Sequence, residues 1–92
     1  MKIIVKKPGE YSESEKSAML DQPTWGCGVS VFDWHYDSEE TCLLVKGEVT
    51  VEYGEKNAES VSFGAGDLVT FPQGLSCVWK VTKPVEKHYV FK

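Results

Sequence analysis

Apolar and polar residues alternate cleanly from Glu48 to Tyr53 (E-V-T-V-E-Y), the period of two that marks a half-buried strand. The same kind of pattern recurs between short breakers. Apolar-rich runs cover Val29 to Tyr36, Thr41 to Lys46, Ser60 to Phe63, Leu68 to Phe71, Ser76 to Thr82 and Val85 to Phe91. They are separated by Asp37-Ser38, Gly47, the polar loop Gly54-Glu55-Lys56-Asn57, Gly64-Ala65-Gly66-Asp67 and Pro72-Gln73-Gly74. Ahead of them, Lys2 to Lys6 predicts a short strand stopped by Pro8-Gly9. Ser12 to Leu20 predicts the one helix, because Ser12 and Glu15 have capping-box spacing and Asp21-Gln22-Pro23 ends the run. About eight short strands punctuated by Gly and Pro predict an all-β fold, a small antiparallel sandwich or barrel. The chain of 92 residues reads as one domain, with the strand and helix in residues 1–22 and the barrel in 24–91.

Charge narrows the partners. A net charge of −4 with no Lys/Arg run leaves no electrostatic footprint for nucleic acid. No apolar stretch approaches the roughly 18 residues needed to span a bilayer, and the apolar run at the N-terminus is too short for a secretory signal. Cys27, Cys42 and Cys77 are odd in number and widely spaced, which argues against a disulfide framework. A protein acting in the cytoplasm, with reduced thiols, is expected.

Two stretches carry a more specific signal. Gly28-V-S-V-F-D-Trp34-His35-Tyr36-D-S-E-Glu40-T-Cys42-L-L-V-K-Gly47 is followed by Gly66-Asp67-L-V-T-F-Pro72-Q-Gly74-L-S-Cys77-V-Trp79-K-Val81. Their glycines, Glu40 and Pro72 fall at the spacing of the two signature motifs of the cupin superfamily, and the chain resembles it. The residues that would hold the cupin metal differ. Trp34 and Tyr36 stand at the paired-histidine positions, Cys77 at the third histidine and Val81 at the asparagine. Within the superfamily, Phe32-Asp33-Trp34, Glu40-Thr41-Cys42, the run from Gly66 to Trp79 and the final Lys87-His88-Tyr89 resemble the small cupins grouped with the ureidoglycine aminohydrolase cupin domain. The resemblance implies a cupin barrel (a double-stranded β-helix, or jelly roll) and a homodimer.

Residues two apart on a strand share a face, so Trp34 pairs with Tyr36, Glu40 with Cys42 and Leu44, and Cys77 with Trp79 and Val81. The resemblance turns these rows inward. It gathers Trp34, Tyr36, Glu40, Cys77 and Trp79 around one ligand-binding cavity, with Val49, Val51 and Tyr53 as its floor. His35 has the opposite parity and points away, and His88 points out if Tyr89 and Phe91 point in. Trp25 reads as ordinary core rather than a lid. A buried Glu40 would be raised in pKa by desolvation and steadied by Tyr36, which makes Glu40 the candidate proton-transfer group and Tyr36 its hydrogen-bond donor. One carboxylate, one thiol and one phenol form a poor metal shell, so neither metal nor cofactor is expected. Three functions follow: a binder of a small polar or cationic metabolite, a metal-dependent hydrolase or isomerase like ureidoglycine aminohydrolase, and a non-catalytic dimeric module with a filled barrel.

Overall fold

Two strands far longer than the rest run antiparallel along each other and organise the chain: β4, Glu40–Tyr53, and β7, Ser76–Phe91. The computed structural model describes all residues from Met1 to Lys92. Shorter elements flank this pair: β1 (Ile4–Lys6), α1 (Glu13–Leu20), β2 (Thr24–Cys27), β3 (Ser30–His35), β5 (Glu59–Gly64) and β6 (Leu68–Phe71). The first half of β4 pairs with β6, which pairs with β1, and the second half of β4 pairs with β5. On the other side, β3 pairs with the first half of β7 and β2 with its second half. Every pairing is antiparallel, and the arrangement is the jelly roll that the cupin resemblance implied.

The pattern predicted breaks inside both long strands, and the structure instead bridges them. Gly47 does not end β4. It takes φ +98° and sits in a bulge where the register against β7 shifts between Leu44 and Val49. Opposite it lies Pro84, which pairs with no residue of a neighbouring strand, so its missing N–H costs no ladder bond. The bulge also changes which parity faces inward. Cys42 and Leu44 are buried before it, Val49, Val51 and Tyr53 after it, all in one core cluster. Without that one-residue offset, half of β4 would turn its apolar side to water. The strand count is therefore seven in one continuous sheet.

The core is closed by aromatic rings from three strands. Phe71 of β6 stacks on Tyr36 with centroids 4.8 Å apart, and Phe63 of β5 meets both Phe71 and Trp79 edge-on. Leu43 points the other way, where Met19 of α1 and Leu68 cover it. That contact holds a helix of eight residues, too short to persist by propensity alone. Its start is as the sequence predicts: Ser12 Oγ accepts from the Glu15 N–H, and the Glu15 carboxylate accepts from the Ser12 N–H. Asp67, buried at the turn into β6, accepts from Lys7 Nζ and from the Gly64 N–H, both at 2.8 Å. That tie anchors β1 to the barrel.

A Cβ at position 47 would lie 2.4 Å from the Pro84 carbonyl oxygen and 2.7 Å from Val85 Cα, on a backbone that side chains rarely adopt. Gly47→Ala should therefore destabilise the protein by about 3 kcal/mol, read as a lowered urea midpoint with an unchanged m-value.

Candidate functional site

Side chains of β2, β3, β7 and the start of β4 enclose one apolar cavity of about 160 Å³ beside the core. Phe32, Trp34 and Tyr36 come from β3 and its end, Trp79, Lys87, Tyr89 and Phe91 from β7, Trp25 from β2 and Glu40 from the start of β4. Phe32 stacks on Trp79 at 6.0 Å, and Trp25 meets both rings edge-on at 6.1 Å. Trp25, Trp34 and Phe91 remain 38%, 47% and 48% exposed, so they form the rim where the cavity meets solvent.

Of the residues expected around the cavity, Trp34, Tyr36, Glu40 and Trp79 are brought together. Cys77 is not. It is buried in the core and absent from the cavity wall, with its Sγ 3.6 Å from the Trp34 carbonyl oxygen. Its register position opposite both Trp34 and Tyr53 places a short side chain between strands rather than in the open space. Val49, Val51 and Tyr53 likewise belong to the packed core and not to a cavity floor. Trp25 lines the cavity at its exposed rim rather than being plain core. His35 points away, with Nδ1 2.7 Å from Ser76 Oγ, and His88 Nδ1 lies 2.8 Å from the Gln22 carbonyl oxygen.

The largest difference from the sequence-based expectation is the partner of Glu40. Lys87 Nζ donates to Glu40 Oε2 at 2.6 Å, and both side chains are nearly sealed from solvent. Tyr36, assigned that duty from the sequence, instead accepts from Trp79 Nε1 at 3.2 Å. The Lys87 ammonium also lies over two indoles, 4.7 Å from the Trp79 centroid and 5.2 Å from that of Trp25. The aromatic cage thus already contains a cation, and it belongs to the protein. A signal for Lys87 was present in the sequence. It shares parity with Tyr89 and Phe91, just as Phe32 shares parity with Trp34 and Tyr36.

Burial, reinforced by the nearby Glu40 carboxylate, pushes the Tyr36 phenol well above its ordinary range. It therefore stays protonated, with its O–H available to donate and its oxygen never a base. Burial likewise pushes Cys42 up to about 12 and Cys77 up to about 11, with Glu40 adding to the shift and Lys87 opposing it. Both are inert thiols at neutral pH.

A cupin frame implies a metal, and the side chains here do not suit one. No group of three or more His, Cys, Asp or Glu side chains converges anywhere in the chain. At the cavity, the single carboxylate already accepts from a lysine and the phenol keeps its proton. The cavity side chains offer neither imidazole nor thiolate, the donors that transition metals favour.

Jelly-roll topology, the motif glycines and an interior cavity define a small cupin domain. The EutQ-like cupin domain family matches residues 14–89, and the chain belongs to it. It is 38% identical to a DUF861 family protein (tm1112) from Thermotoga maritima, whose crystal structure superposes with a TM-score of 0.87 over 99% of this chain and 100% of that one. The Clostridium difficile EutQ protein shares the fold at 20% identity and a TM-score of 0.66, with 74% of this chain matched to 52% of EutQ. A DUF1255 protein from Acidithiobacillus ferrooxidans does so at 18% identity and a TM-score of 0.65, with 71% of this chain matched to 60% of that protein. A comparison with curated proteins gave no match.

Breaking one member of the Glu40–Lys87 pair strands the other charge in an apolar site. Lys87→Met should cost about 3–5 kcal/mol, and the double variant Glu40→Gln/Lys87→Met clearly less than the two single changes summed. Urea unfolding of the four proteins in a double-mutant cycle measures this coupling.

Proposed function

We propose that this cupin binds a small, largely apolar molecule in the aromatic cavity, with the Glu40–Lys87 pair as the polar end of the site. The observation that carries the reading is a preformed space of about 160 Å³ walled mostly by aromatic side chains and open at one rim. An apolar cavity of about 150 Å³ is enough to take up benzene. The proposal replaces the expected polar or cationic metabolite with a largely apolar one, because the walls are mostly aromatic and, with Lys87 over the indoles, a second cation would meet like charge. Glu40 is the group through which any proton transfer on a bound ligand would run, with Tyr36 as the hydrogen-bond donor beside it. A finer kinship with the ureidoglycine aminohydrolase cupins rests on the motif residues, and it brings no metal chemistry to a cavity whose donors do not fit an ion.

Two attributes belong to the same proposal. Three free cysteines suit a reducing, cytoplasmic setting. A homodimer would cover sheet edges: β1, β2, β3 and β5 are each paired on one side only, and Val31 of β3 and nearby Val29 are exposed. Sedimentation equilibrium should return twice the monomer mass of 10.3 kDa, with Val31→Lys shifting it toward monomer.

Toluene titrated into the protein should raise the melting temperature and change indole fluorescence saturably. Trp34→Ala, a change at the rim, should weaken toluene about fivefold while the free protein loses no more than about 1 kcal/mol of stability. Absence of any saturable response would overturn the reading.

A further inference from the structure

We infer that the ligand of this cavity is an uncharged, planar molecule carrying a carbonyl beside an N–H, a carboxamide or lactam, held between Lys87, Tyr36 and Glu40. The inference rests on the small-molecule reading above and specifies its chemical class.

The hydrogen-bond accounting of the cavity leads there. A lysine ammonium has three N–H donors, and Lys87 directs one to Glu40 Oε2, with no other oxygen or nitrogen of the protein bonded to it. Tyr36 accepts at its hydroxyl from Trp79 Nε1, while its own proton reaches no acceptor in the protein. Glu40 receives Lys87 on Oε2 and no donor on its second oxygen. Three donor hydrogens, two on Lys87 and one on Tyr36, and one acceptor oxygen on Glu40 are therefore unspent at the polar end of an otherwise apolar space. A ligand that supplies one carbonyl and one N–H engages both groups: the oxygen, with two lone pairs, accepts from Lys87 and from Tyr36, and the N–H gives to Glu40.

Charge removes the competing classes. Glu40 and Lys87 cancel, so a neutral ligand leaves the cavity neutral, whereas an ion arrives as an unbalanced charge in an apolar site. A carboxylate ligand would compete with Glu40 for Lys87 and put two anions together. An ammonium ligand would meet Lys87 over the indole faces it already occupies. Shape removes bulk: flat walls from Phe32, Trp79 and Trp25 favour a ring or a planar amide.

The experiment is a matched series, toluene, benzamide, benzoate and benzylamine, titrated calorimetrically into the wild-type protein at pH 7. Benzamide should bind about tenfold tighter than each of the other three. Tyr36→Phe, which removes one donor, should narrow the gap to toluene, and Glu40→Gln/Lys87→Met should close most of it. Benzoate or benzylamine binding as tightly as benzamide would overturn the inference. So would toluene matching benzamide, an outcome that leaves the small-molecule reading intact. If none of the four binds, the reading and the inference fall together.

Discussion

The full-length pairing of β4 with β7 is the constraint on which the rest of the molecule depends. Each strand is too long to lie flat in a domain of this size, and each carries apolar residues on parities that suit a closed barrel only if the strands bend together. The bulge at Gly47 and the unpaired Pro84 opposite supply that bend at one level of the barrel. One continuous ladder therefore serves both halves of the jelly roll. β3 and β2 line up along one edge of β7, and that arrangement brings Trp25, Phe32 and Trp34 to the same cavity.

The chemistry of the cavity follows from how a charge can be tolerated there. Removing Glu40 from water is costly without a partner, and the end of β7 provides one four residues ahead of the ladder position facing Glu40. Lys87 lies opposite Leu44 in register yet reaches Glu40, its stem running through apolar surroundings and its ammonium resting on two indoles. The pair makes the site electrically neutral overall while leaving it locally polar. Such a site is unlike the ion-centred interior that the cupin frame implies. Fold membership alone does not assign a reaction, because one frame carries unrelated chemistries. What can be read from this chain is read from its own side chains.

Where prediction and structure part, the reasons are physical. The breaks placed at Gly47 and between Thr82 and Val85 follow from residues that usually end strands, yet a bulge facing a proline lets two such positions cancel across one ladder. Cys77 followed the inward parity of Trp79 correctly and still missed the cavity, because parity gives the face and not the depth or the reach of a side chain. Glu40 was singled out correctly as a buried carboxylate, but its partner was sought among residues near it in the motif. The partner lies 47 positions away.

What the sequence determined by itself is local: the period of two that makes strands, the Ser12–Glu15 cap and the turns at Gly66 and Gly74, while the cupin barrel was implied by resemblance. Each depends on residues a few positions apart, whose geometry the backbone dictates. Only the tertiary structure decided that Lys87 neutralises Glu40, that Trp25 lines the cavity rim and that Cys77 is filler. Those outcomes depend on which strands become neighbours and how far their side chains extend, quantities that emerge only once the whole sheet has closed.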